Sequence, residues 1–151
     1  MSSLNKTTFS GTTYLHAGVF KNCSSLTGEL SFPDLTELIF ENGTRGSQFQ
    51  GCTNLTKISF GHLAVLNHGY TTSSDAPFKN CTNLKIVDLG DSLTTLGGFN
   101  FEKCSNLKAI KLNITTPPSR SESFANITDI VVFFGNSNVN IYVPDSAVST
   151  Y

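Results

Sequence analysis

The chain contains the stretch Phe78-Lys79-Asn80-Cys81-Thr82-Asn83-Leu84-Lys85-Ile86-Val87-Asp88-Leu89. Its skeleton, Phe-x-x-Cys-x-x-Leu, occurs four times in the 151 residues, led by Phe20, Phe49, Phe78 and Phe101. The intervals between these Phe residues are 29, 29 and 23. A fixed period of about 20 to 50 residues is typical of solenoids, in which each unit buries its apolar face only against its neighbours. The spacing therefore predicts a solenoid that forms a single domain over residues 1–151.

One unit of the repeat predicts a short strand followed by a return segment. Leu84, Val87 and Leu89 are expected to point inward, and the last two show the period-2 alternation of a strand. The Phe then enters the core from the return side, and equivalent strands pair in parallel, about 4.8 Å apart. A Ser or Thr followed by a small polar residue precedes each Leu and is a turn signal. The asparagines of this turn predict one column at the corner: Asn54, Asn83 and Asn106.

Three segments depart from the regular unit. Another 23 residues after Phe101, Phe124 leads a degenerate fifth repeat, with Ile127, Ile130 and Phe133 at the Cys, Leu and Ile positions. Residues 130–134 and 139–143 read as two strands around a turn, within a C-terminal cap at about 131–151 that ends in a short helix after Pro144. Extra loop is expected within 61–77, and one additional residue shifts the strand of the first unit.

The motif Phe-x-[Asn/Gly/Lys]-Cys-[Ser/Thr]-[Asn/Ser]-Leu-x-x-[Ile/Val]-x-[Leu/Phe] resembles the BspA-type branch of the bacterial leucine-rich repeats. The similarity extends over residues 14–151. It implies a right-handed, curved α/β solenoid with a short parallel β-sheet on the concave face and mostly irregular or short-helical return segments. It also implies an extracellular or cell-surface protein of bacterial origin, used for adhesion or recognition of a protein or glycan. The family motif is structural and implies no catalytic residue.

Composition excludes several classes of function. Charged residues make up only 14% of the chain, and the formal net charge is −1, so no field attracts nucleic acid or anionic lipid. The longest purely apolar run, residues 130–134, is far shorter than the ~20 residues of a membrane-spanning helix. Neither nucleic-acid binding nor membrane insertion is expected, and no N-terminal signal peptide is recognised.

The residues that could carry chemistry are interpreted as structural. Four cysteines spaced by 29, 29 and 23 residues do not form the close pairs of a zinc site. Parallel stacking brings their Cα atoms within reach of a disulfide but leaves the Cβ atoms too far apart, which favours buried free thiols. His16, His62 and His68 share no repeat position and have no fixed carboxylate or Cys partner, which favours a solvent-facing role. No catalytic site, metal or cofactor is predicted.

The candidate binding face consists of the outward residues of the strands. A stiff row of varied polar groups suits recognition of a protein or a glycan. A structural spacer in a surface protein, with these side chains serving only solubility, is the alternative. The predicted face comprises Lys57, Ser59, Lys85, Asp88, Lys108 and Lys111.

Overall fold

Six short strands, one from each turn of the chain, form a parallel sheet. They appear in a computed structural model that describes residues 5–40, 46–66, 76–97, 100–120 and 138–150. Neighbours in the sheet follow chain order, which is the topology of a solenoid and confirms the predicted architecture. The six strands are Lys6–Thr8 (β1), Gly28–Phe32 (β3), Leu55–Phe60 (β5), Ile86–Asp88 (β7), Ala109–Lys111 (β9) and Asn140–Tyr142 (β11).

The register of this sheet places the predicted apolar positions in one inward column. Ile58 aligns with Val87, and Val87 aligns with Ile110, and all three are fully buried. In the first unit it is Leu30 that aligns with Ile58, four residues after Leu26 rather than three. A register shift between Gly28 and Glu29 accommodates this additional residue, as predicted.

Two columns of Phe rings fill the space behind the sheet. Phe49 and Phe78 stack with ring centroids 5.3 Å apart, and Phe78 stacks on Phe101 at 5.1 Å. A second column starts from the strands, with Phe32 stacked on Phe60 at 5.9 Å. Offset stacking at these separations adds a favourable contact to the burial of the rings themselves. The predicted inward placement of the motif Phe is confirmed.

The return segments contain two-residue strands that form a second layer. These are Tyr14–Leu15 (β2), Glu37–Leu38 (β4), Val65–Leu66 (β6), Thr95–Leu96 (β8) and Ser119–Arg120 (β10). They pair in parallel as β2–β4 and as β10–β8–β6. Each of the first four carries a buried Leu at its second position. Because β6 and the buried Leu63 belong to this layer, residues 61–66 are a regular return segment, and the extra loop expected within 61–77 does not include them. Residues 67–75 of that loop lie outside the described ranges.

Side-chain amides bind each corner to the preceding unit. The Nδ2 atoms of Asn54, Asn83 and Asn106 each donate to a backbone carbonyl one unit back, at 2.8 Å in all three cases. The acceptors are the carbonyl oxygens of Ser24, Thr53 and Thr82. The predicted asparagine column is confirmed, and it pairs corner carbonyls that strand hydrogen bonds do not reach.

The two ends of the sheet differ from the predicted pattern. Strand β1 lies in a segment for which the sequence predicts no element, and it pairs with β3. At the other end, β11 pairs in parallel with β9, with Ile141 aligned to Ile110, and a 3-10 helix follows at Asp145–Thr150. The expected strand over 139–143 and the short helix are therefore present. The degenerate repeat at Phe124 and the first arm of the expected hairpin lie outside the described residues. Across the ranges that are described, no helix has the length and apolarity needed to cross a bilayer.

Candidate binding surface

The outward side chains of the six-stranded sheet form two columns, which together we call the sheet face. They face outward because they alternate with the buried column that contains Ile58 and Val87. The first column contains Lys6, Glu29, Lys57, Ile86, Ala109 and Asn140. The second column contains Thr8, Ser31, Ser59, Asp88, Lys111 and Tyr142.

An ion-paired ladder occupies the first column on β1, β3 and β5. Glu29 Oε1 lies 3.4 Å from Lys6 Nζ and 3.1 Å from Lys57 Nζ, and the Glu29 side chain is only 11% exposed. Burial alone would raise the pKa of this carboxyl. The hydrogen bond and charge of Lys57, together with those of Lys6, outweigh burial and hold the pKa of Glu29 below its usual value. The charges on this half of the face are thus satisfied within the protein.

Asp88 is on the sheet face, but hydrogen bonds from the protein bind its carboxylate. Asp88 Oδ1 accepts from the backbone N–H of Gly90 at 3.1 Å and from Asn113 Nδ2 at 3.2 Å. Gly90 has a φ of 75°, and a Cβ there would lie 2.0 Å from the carbonyl oxygen of Gly61. Asp88 therefore stabilises the tight turn that follows β7, and its Oδ1 atom is already engaged in hydrogen bonds within the protein.

Three exposed lysines lie on and beside β7 and β9. Lys85 and Lys108 precede their strands at equivalent positions, and the backbone N–H of Lys108 donates to the carbonyl of Lys85 at 2.9 Å. Lys111 ends β9 and aligns with Asp88. Within the described ranges none of the three takes part in an ion pair. We call Lys85, Lys108 and Lys111 the lysine patch.

The two outward columns contain four of the six predicted face residues, which are Lys57, Ser59, Asp88 and Lys111, whereas Lys85 and Lys108 are exposed just before β7 and β9. Lys57 and Asp88 are engaged by other groups of the protein, whereas Ser59 and the lysine patch are available. Eight members of the two columns were missed, and two of them show why. Glu29 precedes the Leu of a unit whose register is shifted, and Tyr142 lies on β11 beside Lys111, in a segment predicted as cap. The inward and outward alternation expected of a strand over residues 139–143 could have placed Tyr142 on this face.

The cysteines form a buried column of free thiols, as the sequence favours. Cys52, Cys81 and Cys104 are buried and Cys23 is half-buried. Each buried thiol donates to the carbonyl of the motif Phe one unit back, at distances of 3.0 to 3.1 Å. Burial raises the pKa of Cys52 to about 12. Hydrogen bonding with Cys104 and burial raise the pKa of Cys81. The thiols of Cys52 and Cys81 are therefore protonated donors and are poorly suited to be nucleophiles.

His62 corrects one expectation about the histidines. Its Nδ1 lies 2.9 Å from Asp91 Oδ1, so it does have a carboxylate partner, which approaches from the next unit. Both side chains are more than half exposed, so the predicted solvent-facing position holds for His62. The hydroxyl of Ser92 donates to the same oxygen at 2.7 Å, and this bond and His62 lower the pKa of Asp91. Because Ser92 contacts the carboxylate, the group lacks the nucleophile-to-base hydrogen bond of a hydrolytic triad.

The other histidines and the metal prediction have different outcomes. His16 is exposed and packs edge-on against Tyr14 with ring centroids 5.5 Å apart. His68 lies outside the described residues. Of the residues with described positions, no group of three or more His, Cys, Asp or Glu side chains converges as a metal site would require.

Comparison with known families gives one match. The model of the BspA type leucine rich repeat region matches residues 44–147 in six copies, which is more than two thirds of the chain. The matched range includes the lysine patch and the three Phe-x-x-Cys turns whose Phe rings are fully buried. Neither a curated protein nor a solved structure matches the chain.

Proposed function

The chain belongs to the BspA-type leucine-rich repeat family, and we propose that it is a non-catalytic recognition module that binds an extracellular macromolecule through its sheet face. Domains of this family generally mediate protein interactions and usually lie on the cell surface. The proposal adds an adhesive role at the surface of a bacterium and a location for the binding site. Its partner is a protein or a glycan outside the cell.

The observation that carries the proposal is the continuity of the sheet face. Two outward columns run over six strands, backed by an inward column whose central members are fully buried. Backbone hydrogen bonds, stacked rings and the asparagine column hold each unit against the next. Such a surface loses little conformational entropy when a partner binds, because its backbone is already ordered. This favours recognition by a broad, rigid surface.

The alternative role of a spacer predicts a sheet face without binding energy. The Lys6–Glu29–Lys57 ladder is compatible with that role, since its charges satisfy each other. The fold gains nothing from the three exposed cations of the lysine patch, so in a spacer they would serve only solubility, whereas in a recognition module they are contact residues. A binding test with a blocked face separates the two roles.

The test uses the whole chain, immobilised, and a panel of extracellular-matrix proteins and cell-surface glycans. Ser59→Trp places an indole at the centre of the sheet face, between Ser31 and Asp88. Glu37→Trp places the same indole on β4, in the separate two-stranded sheet, and serves as the control. We expect at least one saturable partner, with binding retained by Glu37→Trp and weakened at least about tenfold by Ser59→Trp, since a ring at the centre obstructs docking. Matching circular dichroism spectra show that both variants are folded.

Two outcomes contradict the proposal. If no member of the panel binds saturably, the spacer role is correct. If both variants bind a partner equally, recognition occurs elsewhere on the solenoid and the sheet face is not the site.

A further inference from the structure

The two halves of the sheet face differ in whether their lysines form ion pairs within the protein. On β1, β3 and β5 an acidic side chain lies between two lysines and pairs with both. On β7 and β9 the lysines are exposed, and the carboxylate of Asp88 is turned to the backbone of Gly90 and to Asn113. The second half of the face therefore presents positive charge that the described protein does not neutralise.

The arrangement of Lys85 and Lys108 is unfavourable for the fold alone. Lys85 and Lys108 immediately precede the aligned residues Ile86 and Ala109, and the backbone N–H of Lys108 donates to the carbonyl of Lys85 at 2.9 Å. Two like charges therefore lie on neighbouring backbone segments, where they repel each other and do not stabilise the fold. The residue equivalent to Lys85 in the preceding unit is the uncharged Thr56, so this repulsion is confined to the second half of the face. A local arrangement that opposes stability without a structural gain points to binding.

Apolar surface lies next to the lysine patch. Ile86 and Ala109 occupy the outward column beside Lys85 and Lys108 and are half-buried, and so retain exposed surface. Tyr142 aligns with Lys111 and is 54% exposed. Positive charges thus surround a small apolar strip with an aromatic ring at one end.

We infer that the lysine patch, with Ile86, Ala109 and Tyr142, is the docking site for an acidic peptide segment of a protein partner. Carboxylates spaced along the segment pair with the three lysines, and its apolar side chains cover Ile86 and Ala109. A peptide supplies both groups, whereas a sulfated glycan supplies only the anions. This assignment rests on the proposed function, and it names the chemistry of the partner and the half of the face that binds it.

The test is fluorescence anisotropy with a labelled octapeptide of alternating Glu and Leu, at low and at moderate salt. Two charge-matched double variants are compared: K85E/K108E on the face, and K21E/K103E, which reverses two exposed lysines of the Phe-x-x-Cys turns. We expect K85E/K108E to raise Kd roughly tenfold and the control to change it less than about twofold, since an exposed pair contributes a factor of up to about five. Added salt weakens binding of the wild-type chain.

A third variant, Ile86→Ser, separates a peptide from a glycan. It removes apolar surface and leaves the lysines in place, so we expect a several-fold loss of peptide affinity. A sulfated octasaccharide serves as the competing probe. The inference is overturned if the octapeptide does not bind, if the two double variants bind it equally, or if the octasaccharide binds more tightly than the octapeptide and is unaffected by Ile86→Ser. If any of these occurs while Ser59→Trp still abolishes capture of a panel partner, the proposed function stands and only the acidic-peptide assignment is wrong.

Discussion

Replacing Phe78 by Ala tests whether the stacked Phe column holds the units of the solenoid together. Phe78 is fully buried, and its ring lies between those of Phe49 at 5.3 Å and Phe101 at 5.1 Å. A third ring, Phe60, tilts against it at 6.2 Å from the strand side. Removing this ring leaves a cavity that neighbours on both sides border, at the centre of the array.

The expected loss of stability follows from that position. A buried Phe→Ala change costs about 3–5 kcal/mol, and loss of the aromatic contacts puts Phe78 near the upper end, at about 4–5 kcal/mol. For a chain of this size that corresponds to a fall in Tm on the order of 8–20 °C. Phe20, which is half-buried at the end of the same column, is the matched control, and its replacement should cost only about 1–2 kcal/mol.

The measurement is urea and thermal unfolding of both variants followed by circular dichroism. Because each unit is stabilised only by its neighbours, a central cavity also weakens coupling between the two halves of the array. We therefore expect a broader transition and a smaller m-value for Phe78→Ala, with the m-value of Phe20→Ala unchanged. Equal losses for the two variants, or a near-neutral Phe78→Ala, would refute the role of the column.

Two further predictions concern the thiols and the ion-paired ladder. In the native protein a thiol reagent should modify Cys23 rapidly and the other three cysteines only on unfolding, because burial shields their thiols from the reagent; four fast equivalents would contradict the column. Glu29→Gln should cost roughly 0.5–1 kcal/mol at pH 7, since it breaks pairs with Lys6 and Lys57. The pKa of Glu29 is lowered by folding, so its contribution is complete above the unfolded pKa of about 4.3 and is lost as the pH falls through the folded pKa. Chemical denaturation at pH 7 and pH 3 should show this difference shrink in acid, with Glu37→Gln as control; a difference of the same size at pH 3 would exclude an electrostatic origin.

The inward half of the molecule could be predicted from the sequence because its chemistry repeats. The Phe, Cys, Leu and Ile positions recur at intervals of 29, 29 and 23 residues, and each makes the same contact in successive units. The asparagine corner was predictable for the same reason. From the sequence, the Cys side chain was identified only as an apolar core residue. Its thiol also donates to the Phe carbonyl, which could not be predicted because a sequence does not show which carbonyls lack a donor.

The third residue of each Phe-x-x-Cys turn has a backbone conformation that the motif alone did not reveal. The residue two after each motif Phe adopts a left-handed conformation, with φ between 60° and 76°. It is Asn22, Gly51, Asn80 or Lys103 in the four units. Asn and Gly tolerate this conformation, so the residues of the first three units indicate a left-handed position. Lys does not favour it, so Lys103 obscures the pattern in the fourth unit. A Cβ on Gly51 would lie only 2.3 Å from Asn22 Oδ1, which adds a second reason for glycine in that unit.

The outward half could not be predicted in the same detail because the types of its outward residues differ from unit to unit. Lys6 and Glu29 belong to strands with a shifted or unrecognised register, and their pairing depends on β1, for which the sequence has no repeat signal. The side chains of Lys57 and Asp88 were placed correctly, but only the structure shows that they are already engaged.

This division between the two halves explains how the solenoid can carry an unfavourable pair such as Lys85 and Lys108. A like-charge pair on an exposed sheet costs at most about 1 kcal/mol, whereas one ring of the inward column contributes about 3–5 kcal/mol. The outward residues can therefore vary widely before stability is lost. On the first half of the face Glu29 pairs with Lys6 and Lys57 and neutralises charge, whereas on the second half the lysine patch has no ion-pair partner among the described residues. The contrast within one sheet, where scaffold and solvent are the same, is why we place the ligand on β7, β9 and β11.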